Sequence, residues 1–155
     1  MQKIRELLAK DQSQIKLFKD GKITQFDLLQ SSKEITKEFL ELINNRFPYK
    51  NLVPEDIYKG AITLSLHLDL ENLQHIFDSY IKNASSQEID SNHKAIFIDK
   101  IRVLSGKPQL YGTQFKFGKN MEVKLLPVED EKNLDKRRKE AGLVPLNEYL
   151  NLIER

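Results

Sequence analysis

Apolar positions recur at helical spacing along most of the chain. Ile4, Leu7 and Leu8 share one helical face, with Ile15 and Phe18 as its extension. The run Asp20-Gly21-Lys22 breaks the pattern. A second helix is predicted over 24–45, because Leu28, Ile35, Phe39, Leu42 and Ile43 fit a period of 3.6. After the loop NNRFPYKNLVP, Pro54 followed by Glu55 and Asp56 marks a helix start, with acids on the positive end of the dipole. The segment 54–83 reads as one long helix or as two broken near Leu68, with Ile57, Ala61, Leu64, Leu68, Ile76, Phe77 and Tyr80 as its apolar side. The polar loop NASSQEIDSN leads to a helix over 91–105, which Gly106 stops.

The period then changes. QLYGTQFKF and MEVKLL flank GKN, a hairpin signal with a three-residue glycine-containing loop. VEDEKNLDKRRKEAG has acids first, bases last and Gly142 just beyond, as helix dipole and capping rules require. Pro145 opens a short terminal helix through Tyr149 and Ile153. The expected fold class is α+β: a mainly helical single domain over 1–155 with one β-hairpin near the C-terminal third.

Composition narrows the function classes. The chain has 155 residues, which suits one domain with a real core. Lys and Arg number 25 against 23 Asp and Glu, so the charge is a near-balance and no basic stripe points to nucleic acid. There are no cysteines, which excludes disulfides, thiolate metal sites and a cysteine nucleophile. The N-terminus lacks a signal-peptide core, and no apolar run approaches the roughly 20 residues of a membrane span. A bacterial-type cytoplasmic protein without membrane or nucleic-acid partners is the default expectation. No phosphate-loop, dinucleotide or serine-hydrolase signature is present, and His67, His75 and His93 are too scattered to read as metal ligands. Neither a cofactor nor a metal is expected.

Four places hold candidate chemistry. If the helix continues through His67, then Gly60, Thr63, His67, Glu71 and Gln74 share a stripe, and a carboxylate one turn on would fix the tautomer that a general base needs. The alternative is a half-buried histidine bonded for structure. Asp69 is either part of that site or the cap of a new helix. Asp99 interrupts AIFIDKIRVL, as a surface partner of Arg102 or, if it faces the hairpin, as a pocket acid. In GKPQLYGTQFKF, strand alternation would put Gln109, Tyr111, Thr113, Phe115 and Phe117 on one face and Leu110, Gly112, Gln114 and Lys116 on the other. Amides and hydroxyls on both faces, beside a glycine that admits close approach, suit either a polar ligand or neighbouring loops. Pro108 turns the chain back under the helix that carries Asp99, so a side chain from Tyr111 to Gln114 is expected within hydrogen-bond reach of Asp99 or Arg102.

GKPQLYGTQ resembles the hallmark of an uncharacterised bacterial family of unknown function, with a Tyr-Gly-Thr-Gln signature. Asp11-Gln12, the RFP at 46–48, His67 to Asp69 and the closing PVEDEKNLDKRRKEAGLVPLNEYL resemble its other elements in order and spacing. Leu66, Phe47 and Lys100 depart from that pattern, where a glutamine, a tryptophan and an arginine are usual. The resemblance implies a polar constellation that includes His67 and an arginine of the late helix, but no activity. Arg138 is the arginine chosen, for bidentate capture of an anion, against the plainer reading that KRRK answers the helix dipole.

The expected site therefore has His67 and Asp99 as acid and base, with Gln109, Tyr111, Thr113, Gln114 and Arg138 on an unnamed small polar substrate. The rival expectation is a protein-binding module, such as an immunity protein that covers a toxin, for which the departures at Leu66 and Lys100 are natural. A third is that the Tyr-Gly-Thr-Gln segment is a folding motif.

Overall fold

A computed structural model describes residues 1–44, 46–117 and 123–153. The chain divides into two compact units, Met1–Asn72 and Leu73–Arg155. It is mainly helical, with one two-stranded antiparallel hairpin.

The first unit is built on α1 (Gln2–Lys19), α2 (Gln25–Ile43) and α3 (Glu55–Leu66). α1 packs against both α2 and α3. Ile4 and Leu7 of α1, Ile35, Phe39 and Ile43 of α2, and Ile57, Ala61 and Leu64 of α3 are buried. The periodic face of α1 differs from expectation, because Phe18 is exposed and Asp11 is buried. Leu42 is also exposed. Thr24 caps α2 through a reciprocal box with Asp27, which satisfies two orphan donors of the first turn. The close approach of α1 to α3 depends on Gly60, where an added Cβ would lie 3.3 Å from both Ile4 and Leu8.

The long segment after Pro54 is broken. α3 ends at Leu66, and Asp69 accepts from the Asn72 N–H at 2.9 Å to start α4 (Leu70–Ile76). The capping alternative for Asp69 is thus realised. The unit boundary falls inside α4, which continues as a π-helical turn over Phe77–Ile81.

The second unit holds α5 (Ser91–Leu104), β1 (Phe115–Phe117), β2 (Val123–Leu125), α6 (Leu134–Glu140) and α7 (Leu146–Ile153). Leu73, Ile76, Ile81, Ile89, Ala95, Phe97, Leu134 and Leu143 are its buried apolar residues. Gly106 and Gly142 have positive φ and follow α5 and α6, as the stop signals require. β1 pairs with β2 in the register Phe115 to Leu125. The expected GKN loop lies outside the described residues. The expected strand is shorter than its pattern suggested: Gln109 makes an isolated parallel bridge to Val128 and residues 110–112 are bends, with Gly112 at φ 68°, so strand alternation does not carry through 109–114.

Candidate functional site

Two carboxylates are withdrawn from solvent on helix faces, one in each unit. Asp99 lies on α5 one turn after the buried Ala95 and is itself fully buried. Its Oδ1 accepts from the Leu110 N–H at 2.7 Å, and its Oδ2 accepts from the Thr113 N–H at 3.0 Å and the Thr113 hydroxyl at 2.9 Å. The Tyr111 N–H bridges both oxygens at 3.1 Å. The loop thus wraps its backbone donors around one side chain. The expected contact between the loop and Asp99 is present, but it is made chiefly by main chain. Asp99 does not pair with Arg102, whose guanidinium donates to the Pro108 carbonyl at 2.7 Å and to Glu129.

The neighbouring polar groups are engaged in the same way. Gln109 is fully buried; its Nε2 donates to the Gln114 and Leu126 carbonyls, both at 2.8 Å, and its Oε1 accepts from the Gln114 N–H at 2.8 Å. One amide therefore closes the loop onto the approach to the hairpin. The Gln114 side chain is half-buried and donates to the Thr113 hydroxyl at 3.2 Å. Arg138 is buried on α6 and donates to the carbonyls of Val144 and Tyr111, with its guanidinium 4.9 Å from the centre of the Tyr149 ring. Burial pushes the Arg138 pKa down, against the opposing pull of Tyr149, Asp135 and Asp99. Burial likewise pushes the Tyr149 hydroxyl up, and Arg138 opposes it.

Among the described residues, no buried side-chain nitrogen or oxygen lacks a hydrogen-bond partner. The strand expected to present amides and hydroxyls to a ligand is instead a loop in which Gln109 bonds main chain and Thr113 bonds Asp99. Arg138 answers carbonyls rather than an anion. Tyr111 borders a cavity of about 160 Å³, together with Ser91, Lys94, Ala95 and Ile98.

His67 belongs to the first unit, and this cluster belongs to the second. It is the residue after α3; its backbone N–H donates to the Leu64 carbonyl, and the Leu68 N–H donates to the Ser65 carbonyl. The helix does not pass through it, so Glu71 is not its one-turn neighbour, and the expected stripe from Gly60 to Gln74 fails. Its carboxylate partner is Asp11 of α1, with Oδ1 3.1 Å from the ring Nδ1. Asp11 Oδ2 accepts from Gln12 Nε2 at 2.9 Å. The Asp11 side chain is 7% exposed and that of His67 34%. With the Nδ1 proton donated to Asp11, Nε2 carries the lone pair, and among the described residues nothing bonds it. A buried carboxylate that orients a solvent-reaching imidazole is the arrangement of a general base. Asp11 was missed as a partner because it sits in the polar run KDQSQ. The signal that would find it is its spacing from Ile4 and Leu7, seven and four residues on, which places it on the buried face.

No group of three or more histidine, aspartate or glutamate residues suited to a metal ion occurs among the described residues. No described helix is long and apolar enough to cross a membrane. Comparison with curated proteins and with solved structures gives no match. A family profile matches residues 48–155, a span that includes His67, Asp99, the loop from Gln109 to Gln114 and Arg138 but not Asp11. The profile covers most of the chain, and the protein belongs to that family of unknown function, DUF6624.

Proposed function

We propose that this protein is an acid–base enzyme acting on a small polar substrate, with His67 as the proton-transfer group and Asp11 holding its ring. One observation carries the reading: His67 Nδ1 lies 3.1 Å from a buried carboxylate while the His67 side chain is 34% exposed. His67 Nε2 takes a proton from a water or substrate hydroxyl, and Asp11 stabilises the imidazolium formed. Asp99, Gln109, Thr113 and Arg138 are assigned to the fold instead, because main chain and one another's side chains occupy their polar atoms. The lack of cysteine supports a reducing, cytoplasmic setting, and the Tyr-Gly-Thr-Gln signature supports a bacterial one.

Long-range ¹⁵N–¹H spectra of the imidazole test the geometry, and a turnover screen over carboxylic esters, phosphate esters, glycosides and amides tests the chemistry. The expected results are an Nδ1–H tautomer in the wild type, lost in Asp11→Asn, and turnover reduced about 10²–10⁴-fold in His67→Gln. A predominant Nε2–H tautomer, or full turnover in His67→Gln, rejects the reading.

A second reading, a protein-binding module of the immunity type, has its own support. Phe26 and Leu29 stand one turn apart on α2 and are 68% and 54% exposed. Phe26→Ser with Leu29→Ser would then abolish partner binding and leave the His67 tautomer unchanged.

A further inference from the structure

The first unit contains a cavity that neither reading uses. It has a volume of about 290 Å³ and is walled by Ile4, Leu42, Ile43, Phe47 and Leu52, with Arg46 on its lining. Ile4, Ile43 and Phe47 form buried walls, whereas Leu42 and Leu52 are exposed, so the cavity opens to solvent between them. Turns hold the outer wall, with the Arg46 N–H on the Ile43 carbonyl and the Leu52 N–H on the Tyr49 carbonyl. Its place on α1 is separate from the dyad. Ile4 and Asp11 are seven residues apart, or about 10 Å along the helix axis, and Leu8 packs towards Gly60 between them.

Arg46 is unlike the other described arginines. Arg5 binds Asp56, Arg102 binds Glu129, Arg137 donates to the carbonyls of Leu110, Asp130 and Glu129, and Arg138 donates to two carbonyls. Among the described residues, no hydrogen bond or ion pair engages the Arg46 side chain. Arg46 is exposed and lines the cavity, so its unpaired charge is available to a ligand with an anionic end and an apolar body. Guanidinium geometry favours a carboxylate, which it meets with two parallel donors. The volume is roughly twice the ~150 Å³ that holds a benzene ring, which limits the body to a short alkyl chain or a small ring system.

We propose that this cavity binds a free apolar carboxylic acid, its chain between Phe47, Ile43 and Leu52 and its carboxylate on Arg46. Octanoate, octanamide and octylammonium are the probes, titrated into the whole chain and followed by calorimetry and amide chemical shifts. Octanoate is expected to bind with shifts at Ile4, Ile43, Phe47 and Leu52, and octanamide about fivefold more weakly, the discrimination of one partly exposed charge pair. Arg46→Gln should erase that difference. Leu52→Gln, at the open mouth, should weaken both ligands alike, and circular dichroism confirms that both variants fold. Binding of octanamide equal to octanoate, tighter binding of octylammonium, or no binding of any probe overturns the proposal. So does a concentration-dependent dimer that Leu52→Gln dissolves, which would give the cavity to a second copy of the chain. None of these outcomes depends on the His67 tautomer, so this proposal and the enzyme reading fail separately.

Discussion

Asp99 and Asp11 are both buried carboxylates on helices, each within its own unit, and they differ in what surrounds them. Asp99 is saturated: three backbone N–H groups and a hydroxyl converge on it, all from the loop that follows its helix. None of those donors changes protonation in the physiological range. Asp11 has two partners, Gln12 and His67, and the second is an imidazole that reaches solvent. A carboxylate enclosed by main chain shapes the chain, whereas one that ends on a titratable ring can take part in proton transfer. Burial of an acid does not by itself mark a site; the chemistry of its donors decides.

The largest effect should come from Asp99→Ala. It leaves the N–H groups of Leu110, Tyr111 and Thr113 without their acceptor and is expected to cost about 3–5 kcal/mol, the range for breaking a buried charged network. Urea denaturation followed by fluorescence or circular dichroism measures it. A loss below about 1 kcal/mol would mean that water or a new acceptor replaces the carboxylate easily, and the contrast with Asp11 would collapse.

Next in size is Gln109→Ala, which removes an acceptor and two donors from part-buried main-chain partners and should cost about 1–3 kcal/mol. Gln114→Ala removes one half-buried contact to Thr113 and should cost less than about 1 kcal/mol. The two glutamines thus separate a folding role from a surface one within a single loop. Equal melting temperatures for the two variants would contradict the hydrogen-bond assignment.

Most of the helices were legible in the sequence because apolar periodicity and stop signals agree there. Gly106 and Gly142 sit just past their helices, and the break near Leu68 was one of two readings offered by the spacing. The Asp99 contact followed from Pro108 and the rise of the chain. The loop from Gln109 to Gln114 was misread for a physical reason: Gly112 takes a positive φ, so the period of two that assigns faces never forms. Its polar composition was visible, but a sequence does not say whether backbone or side chain consumes a carboxylate. The His67 partner was lost in a similar way, since a stripe through Glu71 assumes a helix that ends at Leu66.

Asp11→Asn comes third and sharpens the other side of the comparison. It keeps the size of the side chain and the contact with Gln12, so the stability cost should stay near 1 kcal/mol. The change should appear in the His67 tautomer instead. A loss as large as that of Asp99→Ala would place Asp11 among the structural carboxylates and remove the basis for acid–base chemistry in the first unit.

The smallest effect is expected at high pH and belongs to the second unit. Burial raises the Tyr149 pKa above its ordinary 10.0, Arg138 opposes the shift, and Asp99 adds to it. The folded chain therefore holds the phenolic proton more tightly than the unfolded chain does. That contribution is fully present below about pH 10 and is lost as pH rises through the higher folded value. Burial moves Arg138 the other way, downward from its ordinary value. Stability measured by urea from pH 9 to 11 should fall with a slope that Tyr149→Phe reduces, while the ring still faces the guanidinium. If Tyr149→Phe keeps the full slope, the alkaline loss comes from other groups. The packing of Tyr149 against Arg138 would then have no part in the pH response of the unit that Asp99 organises.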